Sequence, residues 1–364
     1  MTSKRLRHFR TLATRTRLFN DKIGVAQNGF PTIPDLPDIK RLLLMPIQWF
    51  PGHMHKAQLE IRTAMPKTDV VIEVLDARIP FSSQNPLLAE IRGNKPCLKV
   101  LAKSDLADEA MTLAWQEYLE RSPGVRARII TSQDISTIRS LKYAAARLVP
   151  HREGRTVNAM IFGIPNVGKS TLINILAGRK IAKTGNTPAV TKQQQKIDIG
   201  DGVTLCDTPG MLWHNVENVN SGYRLALIGS IQETAMDYAD VAFFGARYMT
   251  SQYPDRLRER YEFESLPATE MELIEAIGRK RGCIGKNQVI DIDRASRILV
   301  MDLRTGVLGR LTLETPLMME HEIKSTAIAI QEKAERSKEK AEKQLKRFRD
   351  KQRAEKKSRE MRQR

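Results

Sequence analysis

The 364-residue chain has only three cysteines, Cys97, Cys206 and Cys283, far apart and without a CxxC pair. That scarcity excludes a disulfide framework and the usual zinc spacings, and it points to a reducing compartment. No apolar run comes near the ~20 residues a membrane span requires, so no stable membrane insertion is expected. No secretory signal opens the chain. Acidic residues are missing from positions 1–20, which carry six Lys or Arg. An Arg-rich, acid-free start of this kind can mark a mitochondrial transit peptide. Met45, which opens "MPIQWFPGHM", offers an alternative start and would make residues 1–44 a loosely ordered extension. Both readings stay open. With them stand two settings, a bacterial-type cytoplasm and, alternatively, the mitochondrial matrix.

What is abundant is positive charge, and it is unevenly placed. The formal net charge is +18. Residues 332–364 hold 15 Lys or Arg against 7 Asp or Glu, a net of +8; with the +6 of the first twenty residues, only +4 remains for 21–331. A nearly neutral body with two basic ends fits nucleic acid as a partner, ahead of acidic membrane or merely solubilising tails.

The length allows two domains. Residues 20–46 are rich in Pro, Gly and Asn and read as linker. A helical stretch follows near Met54–Met65. "DVVIEVLDA" (69–77), "PCLKVLA" (96–102) and "RARIITS" (126–132) read as strands, the first two as buried parallel ones. Helical segments at 86–92, 108–121 and 135–148 lie among and after them. "VNAMIFGIPNVGKSTLINILAG" (157–178) reads as strand, glycine loop and helix, and "KQQQKIDIG" with "VTLCDTPG" as a strand pair. The alternation predicts an α/β fold with a doubly wound, mostly parallel sheet over residues 46–220, after a basic extension at 1–45. Residues 221–312 read as a smaller, mainly helical domain with a short hairpin-like pair at 288–303. Residues 313–364 read as a basic tail, helical or disordered, too poor in apolar residues for a coiled-coil seam.

Gly163-Ile164-Pro165-Asn166-Val167-Gly168-Lys169-Ser170 fits GxxxxGK[ST]. By chance such a match arises roughly once in a hundred chains of this length. The strand before it and the helix after it are the context the motif requires. Backbone N–H groups around the glycines and the helix start, including those near Val167 and Thr171, turn toward phosphates. Lys169 supplies a point charge to the β and γ phosphates, and the Ser170 hydroxyl can bind Mg²⁺. About forty residues on, Asp207-Thr208-Pro209-Gly210 ends a strand. Asp207 can hold Mg²⁺ through water, and the Gly210 N–H can meet a γ-phosphate. "TGNTPAVTK" (184–192) is placed like a first switch loop, with Thr191 favoured over Thr187 as a second Mg²⁺ ligand.

The base reader is expected ahead of the phosphate loop. In Ala102-Lys103-Ser104-Asp105, Asp105 can accept two hydrogen bonds from guanine N1–H and the exocyclic amine, which adenine cannot offer. The stem of Lys103 can cover the base, and Thr131-Ser132 can supply a backbone N–H to the guanine O6. Both loops follow strands of one sheet and so lie at its carboxyl edge, whatever the strand order in sequence.

"IQWFPGHMHKA", "DVVIEVLDARIPFSSQNP", "GNKPCLKVLAKSDLAD", "GIPNVGKSTLIN", "GNTPAVTKQQQ" and "DTPGMLW" together resemble the circularly permuted GTPases of the ribosome biogenesis GTPase A (YlqF) type. The likeness continues through "DVAFFGARYM", "AIGRKRGC" and "DLRTGVLGRL" and covers roughly residues 46–312. It implies binding and slow hydrolysis of GTP, GDP as product, Mg²⁺ as cofactor, and partnership with RNA and proteins of the large ribosomal subunit. A monomer is expected. The family carries Asn where this chain has Ala102; one lost hydrogen bond costs about 1 kcal/mol, so weaker GTP affinity is expected, with guanine preference kept by Asp105. Met211 and Leu212 follow Gly210 and cannot hold water. The resemblance suggests two substitutes, K⁺ held partly by Asn166, or the His53 side chain, which is equally open to an RNA-contacting or structural role. "GRKRG" (278–282) is a compact basic turn suited to RNA phosphates. The alternative is a non-catalytic RNA-binding assembly factor with GTP as a structural ligand.

Overall fold

A computed structural model of the chain describes residues 47, 49–182, 195–213, 216–285 and 288–362, with the side chains of His53 and of 345–362 outside that description. The described residues belong to one compact unit that runs from Pro46 to Arg364.

Six strands form one sheet: β1 (Val70–Asp76), β2 (Cys97–Ala102), β3 (Val125–Ile129), β4 (Val157–Gly163), β5 (Gln195–Asp198) and β6 (Val203–Asp207). Their order is β3-β2-β1-β4-β6-β5, with only β5 antiparallel to its neighbour. Every residue of β1 is buried, as expected of a central parallel strand covered on both faces. Its one acid before the carboxyl end, Glu73, sits opposite Lys99 of β2 in register and pairs with it at 3.1 Å. At the edges β3 and β5 expose alternate or most residues, which is why their apolar signal is weaker.

The doubly wound, mostly parallel α/β fold class expected from the sequence is what forms. From β1 the chain steps outward through β2 and β3. It then returns to the other side of β1 as β4 and continues through the β5–β6 pair. The reversal falls between β1 and β4, so the crevice at their carboxyl ends is the place where such a sheet binds ligands.

Helices cover the sheet: α1 (Gly52–Ala64), α2 (Pro86–Arg92), α3 (Glu109–Glu120), α4 (Ile135–Arg147) and α5 (Lys169–Ala177). Asn85, Asp108 and Asp134 cap α2, α3 and α4 through hydrogen bonds to Leu87, Met111 and Thr137 N–H. By contrast α5 has no side-chain cap, so its first N–H groups stay available to a ligand.

The remaining helices are α6 (Val219–Leu227), α7 (Tyr238–Gln252), α8 (Pro254–Tyr261), α9 (Glu270–Lys280), α10 (Ile292–Thr305) and α11 (Pro316–Arg362). Helix α7 packs against α6, α8, α9 and α10. The hairpin expected at 288–303 does not form; among the described residues an isolated bridge, Ile284 to Ile290, lies nearby. Asp291 caps α10 through Arg294 N–H, and Ala295, Leu299, Val300 and Leu303 are buried at helical spacing. The run "RILVMDL" resembles a strand in composition, but its period is that of a helix.

The segment before and at the start of α11 is part of the packed body. Leu311, Leu313, Met318 and Met319 are buried, the two methionines against Trp115, Leu101 and Leu75. Glu314 is fully buried among three elements. It accepts hydrogen bonds from Phe81 N–H at 2.7 Å, Ser82 N–H at 3.0 Å and the Ser82 hydroxyl. Arg224 of α6 stands 3.7 Å away and makes a two-pronged pair with Glu322 at 2.5 and 2.9 Å. Trp115 Nε1–H donates to the Glu314 carbonyl at 2.9 Å. Breaking such a buried pair leaves an uncompensated charge, typically at a cost of about 3–5 kcal/mol.

Burial pushes the Glu314 carboxyl up to about 7, against the opposing pull of Arg224 and the Ser82 and Phe81 donors. A raised carboxyl binds its proton more tightly folded than unfolded. Its contribution therefore holds at low pH and is lost as pH rises from about 4.5, the unfolded value, to about 7. Chemical denaturation at pH 5 and pH 8 should show stability falling by a component on the order of 3 kcal/mol that Glu314→Gln removes; equal pH slopes in the two proteins would contradict it.

Candidate functional site

The loop after β4 begins at Gly163 and ends where α5 starts. Asn166 takes a left-handed conformation (φ 59°), and Gly168 (φ 102°) takes one that a side chain would strain. The two reversals curl the backbone inward, the arrangement that gathers N–H groups around phosphates. Lys169 is buried at the first position of α5, Ser170 beside it is half-buried and Thr171 is exposed. The Lys169 ammonium meets the carboxylate of Asp207, the buried last residue of β6. Burial pushes the Lys169 ammonium down from its usual range, against the pull of Asp207.

The segment after Asp207 is docked on this loop. Thr208 Oγ1–H donates to Ile161 O at 2.7 Å, and Met211 N–H to Gly163 O at 3.2 Å. A Cβ on Gly210 would stand 3.2 Å from Pro165 Cα, tighter than nine in ten real contacts, so a side chain there would push the two backbones a few tenths of an ångström apart. Met211 and Leu212 are buried, and neither offers a polar group to a water.

The loop after β2 arrives from the other side of the switch point. Lys103 is left-handed (φ 59°) and sends its ammonium across to Asn166 O of the phosphate loop at 2.6 Å. The same Nζ lies 3.1 Å from Asp76 Oδ2 at the end of β1. Ser104 N–H and its hydroxyl donate to Ile130 O at 3.2 and 2.9 Å, which ties this loop to Thr131-Ser132. Asp105 sits half-buried in the short turn Ser104–Leu106. The structure thus brings Lys103, Ser104, Asp105, Thr131 and Ser132 to one side of the phosphate loop, and Asp207 and Gly210 to the other. Thr187 and Thr191 lie outside the described residues. His53 is the second residue of α1, its side chain likewise outside them.

Seven residues given no role from the sequence complete the surroundings. Arg78 grips Asp76 with Nε to Oδ1 at 2.9 Å and Nη2 to Oδ2 at 2.8 Å, both groups fully buried. Burial opposes the Asp76 charge, but Arg78 and Lys103 outweigh it and hold the carboxyl below the usual range. Arg78 Nη1 also donates to Arg304 O at the end of α10, at 3.0 Å. Arg304 in turn donates to Ala226 O at 2.8 Å and Leu227 O at 2.9 Å, at the end of α6. Two residues on, Asn166 Nδ2 donates to Gly229 O at 2.8 Å, and Ser230 Oγ to Pro165 O at 2.8 Å. The bonds form a closed ring from phosphate loop to base loop, through β1 to α10 and α6, and back. The signal in the sequence was "DAR", an acid and a base two apart ending an otherwise apolar strand.

Mg²⁺ fits the donor set. It prefers oxygen ligands and takes one or two carboxylates beside substrate phosphates and water. Asp207 and the Ser170 hydroxyl are of that kind, and no group of three or more metal-binding side chains occurs among the described residues.

A phosphate loop at the switch point, with a base loop on strands that precede it in sequence, defines a circularly permuted P-loop GTPase. The family described as 50S ribosome-binding GTPase matches residues 158–277. The chain is 42% identical to Ribosome biogenesis GTPase A of Bacillus pumilus, over 75% of this chain and 99% of that one. It is 34% identical to Mitochondrial ribosome-associated GTPase 1 of Ictalurus punctatus, over 73% of this chain and 92% of that one. The crystal structure of GNP-bound YlqF from T. maritima is similar at a TM-score of 0.52 and 28% identity, over 72% of this chain and 98% of that one. The chain belongs to the ribosome biogenesis GTPase A family and is a GTPase.

Two substitutions probe the site. Arg304→Ala opens the ring far from the nucleotide, and GDP affinity by fluorescent-nucleotide titration should fall on the order of tenfold. Arg247→Ala, which breaks an ion pair with Glu270 elsewhere in the helices, should leave it unchanged. Ala102→Asn restores a polar group at the carboxyl end of β2 and should tighten GDP about fivefold, the worth of one hydrogen bond.

Proposed function

We propose that the protein is a GTP-dependent switch in assembly of the large ribosomal subunit, meeting ribosomal RNA and proteins of that particle. The observation that carries the reading is the Lys103 ammonium on the Asn166 carbonyl, which joins base loop and phosphate loop into one cleft. The 50S description of the matching family supports the choice of subunit. The 42% identity to the Bacillus pumilus protein, against 34% to the mitochondrial one, supports a bacterial-type cytoplasm. Among the described residues no helix is long and apolar enough to cross a membrane.

In this reading Asp105 accepts from the guanine edge, and the Lys103 stem lies over the base. Thr131 or Ser132 offers a backbone N–H to O6. Gly163, Asn166, Val167, Gly168, Ser170 and Thr171 surround the phosphates with their N–H groups. Lys169 exchanges the Asp207 carboxylate for phosphate oxygens in a buried setting, where its charge acts strongly on the negative charge that grows during transfer. Ser170, Asp207 and Thr191 are the residues to hold Mg²⁺, which when bound neutralises charge on the phosphates. Asn166 is the residue to contribute to a K⁺ site, through its amide oxygen, since its Nδ2 donates to Gly229. With only Met211 and Leu212 after Gly210, the attacking water needs another guide, and His53 is the candidate, ordered by the ribosomal particle.

Sedimentation with large subunits tests the switch. Retention with a non-hydrolysable GTP analogue and release in GDP is expected. Equal behaviour in both nucleotides, or no retention in either, sinks the reading.

A further inference from the structure

Helix α11 outruns the body it starts from. Met318 and Met319 are buried and Glu322 is held by Arg224, but from Gln331 to Gln344 every residue is exposed. Exposed helix of this composition is usually a solvated spacer. The order of its charges is not that of a mixed surface.

Lys333, Arg336, Lys340 and Lys343 recur at steps of three, four and three residues. At about 100° per residue they fall within about 80° of arc. Glu332, Glu335, Glu339 and Glu342 repeat the same steps one residue earlier, about 100° round the helix. All four acids and four of the five bases of 331–344 are thus sorted into two parallel rows, with Lys338 alone on the far side of the acids. Among the described residues of 331–344 the only ion pair is Arg336 with Glu332, at 3.8 Å between well-exposed side chains, where such pairs contribute little.

From Lys333 to Lys343 the basic row rises about 15 Å, with one positive charge every 4.5–6 Å or so. A straight row of cations beside a row of anions attracts a polyanion along one side and repels it along the other. The complement is a run of backbone phosphates. Duplex RNA is recognised largely by shape and backbone contacts, without a base sequence.

We infer that the face of α11 carrying Lys333, Arg336, Lys340 and Lys343 is a docking surface for the phosphate backbone of double-stranded RNA. The RNA in question is ribosomal only if the proposed function holds, but the docking chemistry does not depend on it. The face lies outside the nucleotide cleft, so its docking on a bare duplex does not depend on the nucleotide, while release from the subunit in GDP belongs to the cleft and the helical body.

The experiment uses the full chain with a fluorescent RNA duplex of about 20 base pairs, titrated over a range of salt. The test variant carries Lys333→Glu, Arg336→Glu, Lys340→Glu and Lys343→Glu. A control with Lys338→Glu, Lys346→Glu, Arg349→Glu and Arg353→Glu makes the same charge change on other sides of the helix. Each phosphate contact contributes about 0.7–0.9 to the slope of log affinity against log salt. The test variant should lose about 3 from that slope and at least tenfold in affinity at constant salt, while the control stays close to wild type. Basal GTP hydrolysis should be unchanged in both.

Equal losses in the two variants would mean bulk charge and overturn the row. Wild-type binding in the test variant would make the helix a spacer. Binding to phosphatidylserine-rich vesicles but not to the duplex would assign the face to membrane. Loss of duplex binding in the test variant, with wild-type subunit sedimentation nucleotide-dependent, supports the face and the switch together. Normal duplex docking without subunit retention removes the switch alone.

Discussion

One ammonium group holds the nucleotide cleft together. Lys103 leaves the end of β2 in a left-handed conformation and reaches over the switch point to the Asn166 carbonyl, with the Asp76 carboxylate beneath it. Even a half-buried cation is costly unless it is paired and hydrogen-bonded. Here the carboxylate cancels the charge and the carbonyl takes up a remaining donor, so the lysine is fixed in direction. Because one end of this contact belongs to the base loop and the other to the phosphate loop, the span between the two halves of a nucleotide site is set before any ligand arrives.

The same constraint reaches into the helices. Asp76 is also gripped by Arg78, whose third arm meets the end of α10, and Arg304 there ties α10 to the end of α6. The turn after α6 returns to the phosphate loop through Gly229 and Ser230. A ring of this kind cannot change at one point without moving the next. It supplies a physical route between nucleotide and helical surface, which a switch needs if its two nucleotide states are to present different faces. The second junction, around Glu314, Arg224 and Glu322, anchors the root of α11 to the same body.

The chemistry of the site is economical. One carboxylate, one hydroxyl and one ammonium sit close together at the ends of β4 and β6, and the ammonium meets the carboxylate directly. Each can change partner when phosphate enters, which keeps the cleft from burying an unpaired charge. The apolar pair Met211 and Leu212, packed where a water-holding side chain often stands, offers no polar group to an attacking water.

Much of this was legible along the chain. The phosphate loop, Asp207-Thr208-Pro209-Gly210 and the base loop are local motifs, and β1, β2 and β4 are continuous apolar runs, so short windows carry their signal. The edge strands were weaker because their faces are wet, and α10 was misread as a hairpin because "RILVMDL" has strand composition with helical period. The Asp76–Arg78–Arg304 ring was out of reach, since its partners are 226 residues apart and meet only through the packing of α10 on the sheet. The sequence by itself determined which residue types can bind phosphate, guanine and Mg²⁺, because their spacing follows from local backbone geometry. Tertiary structure alone decided that Lys103 joins the two loops, that Arg304 completes the ring, and that α11 begins inside the core and is exposed from Gln331 to Gln344, because burial and long-range hydrogen bonds are properties of the folded whole.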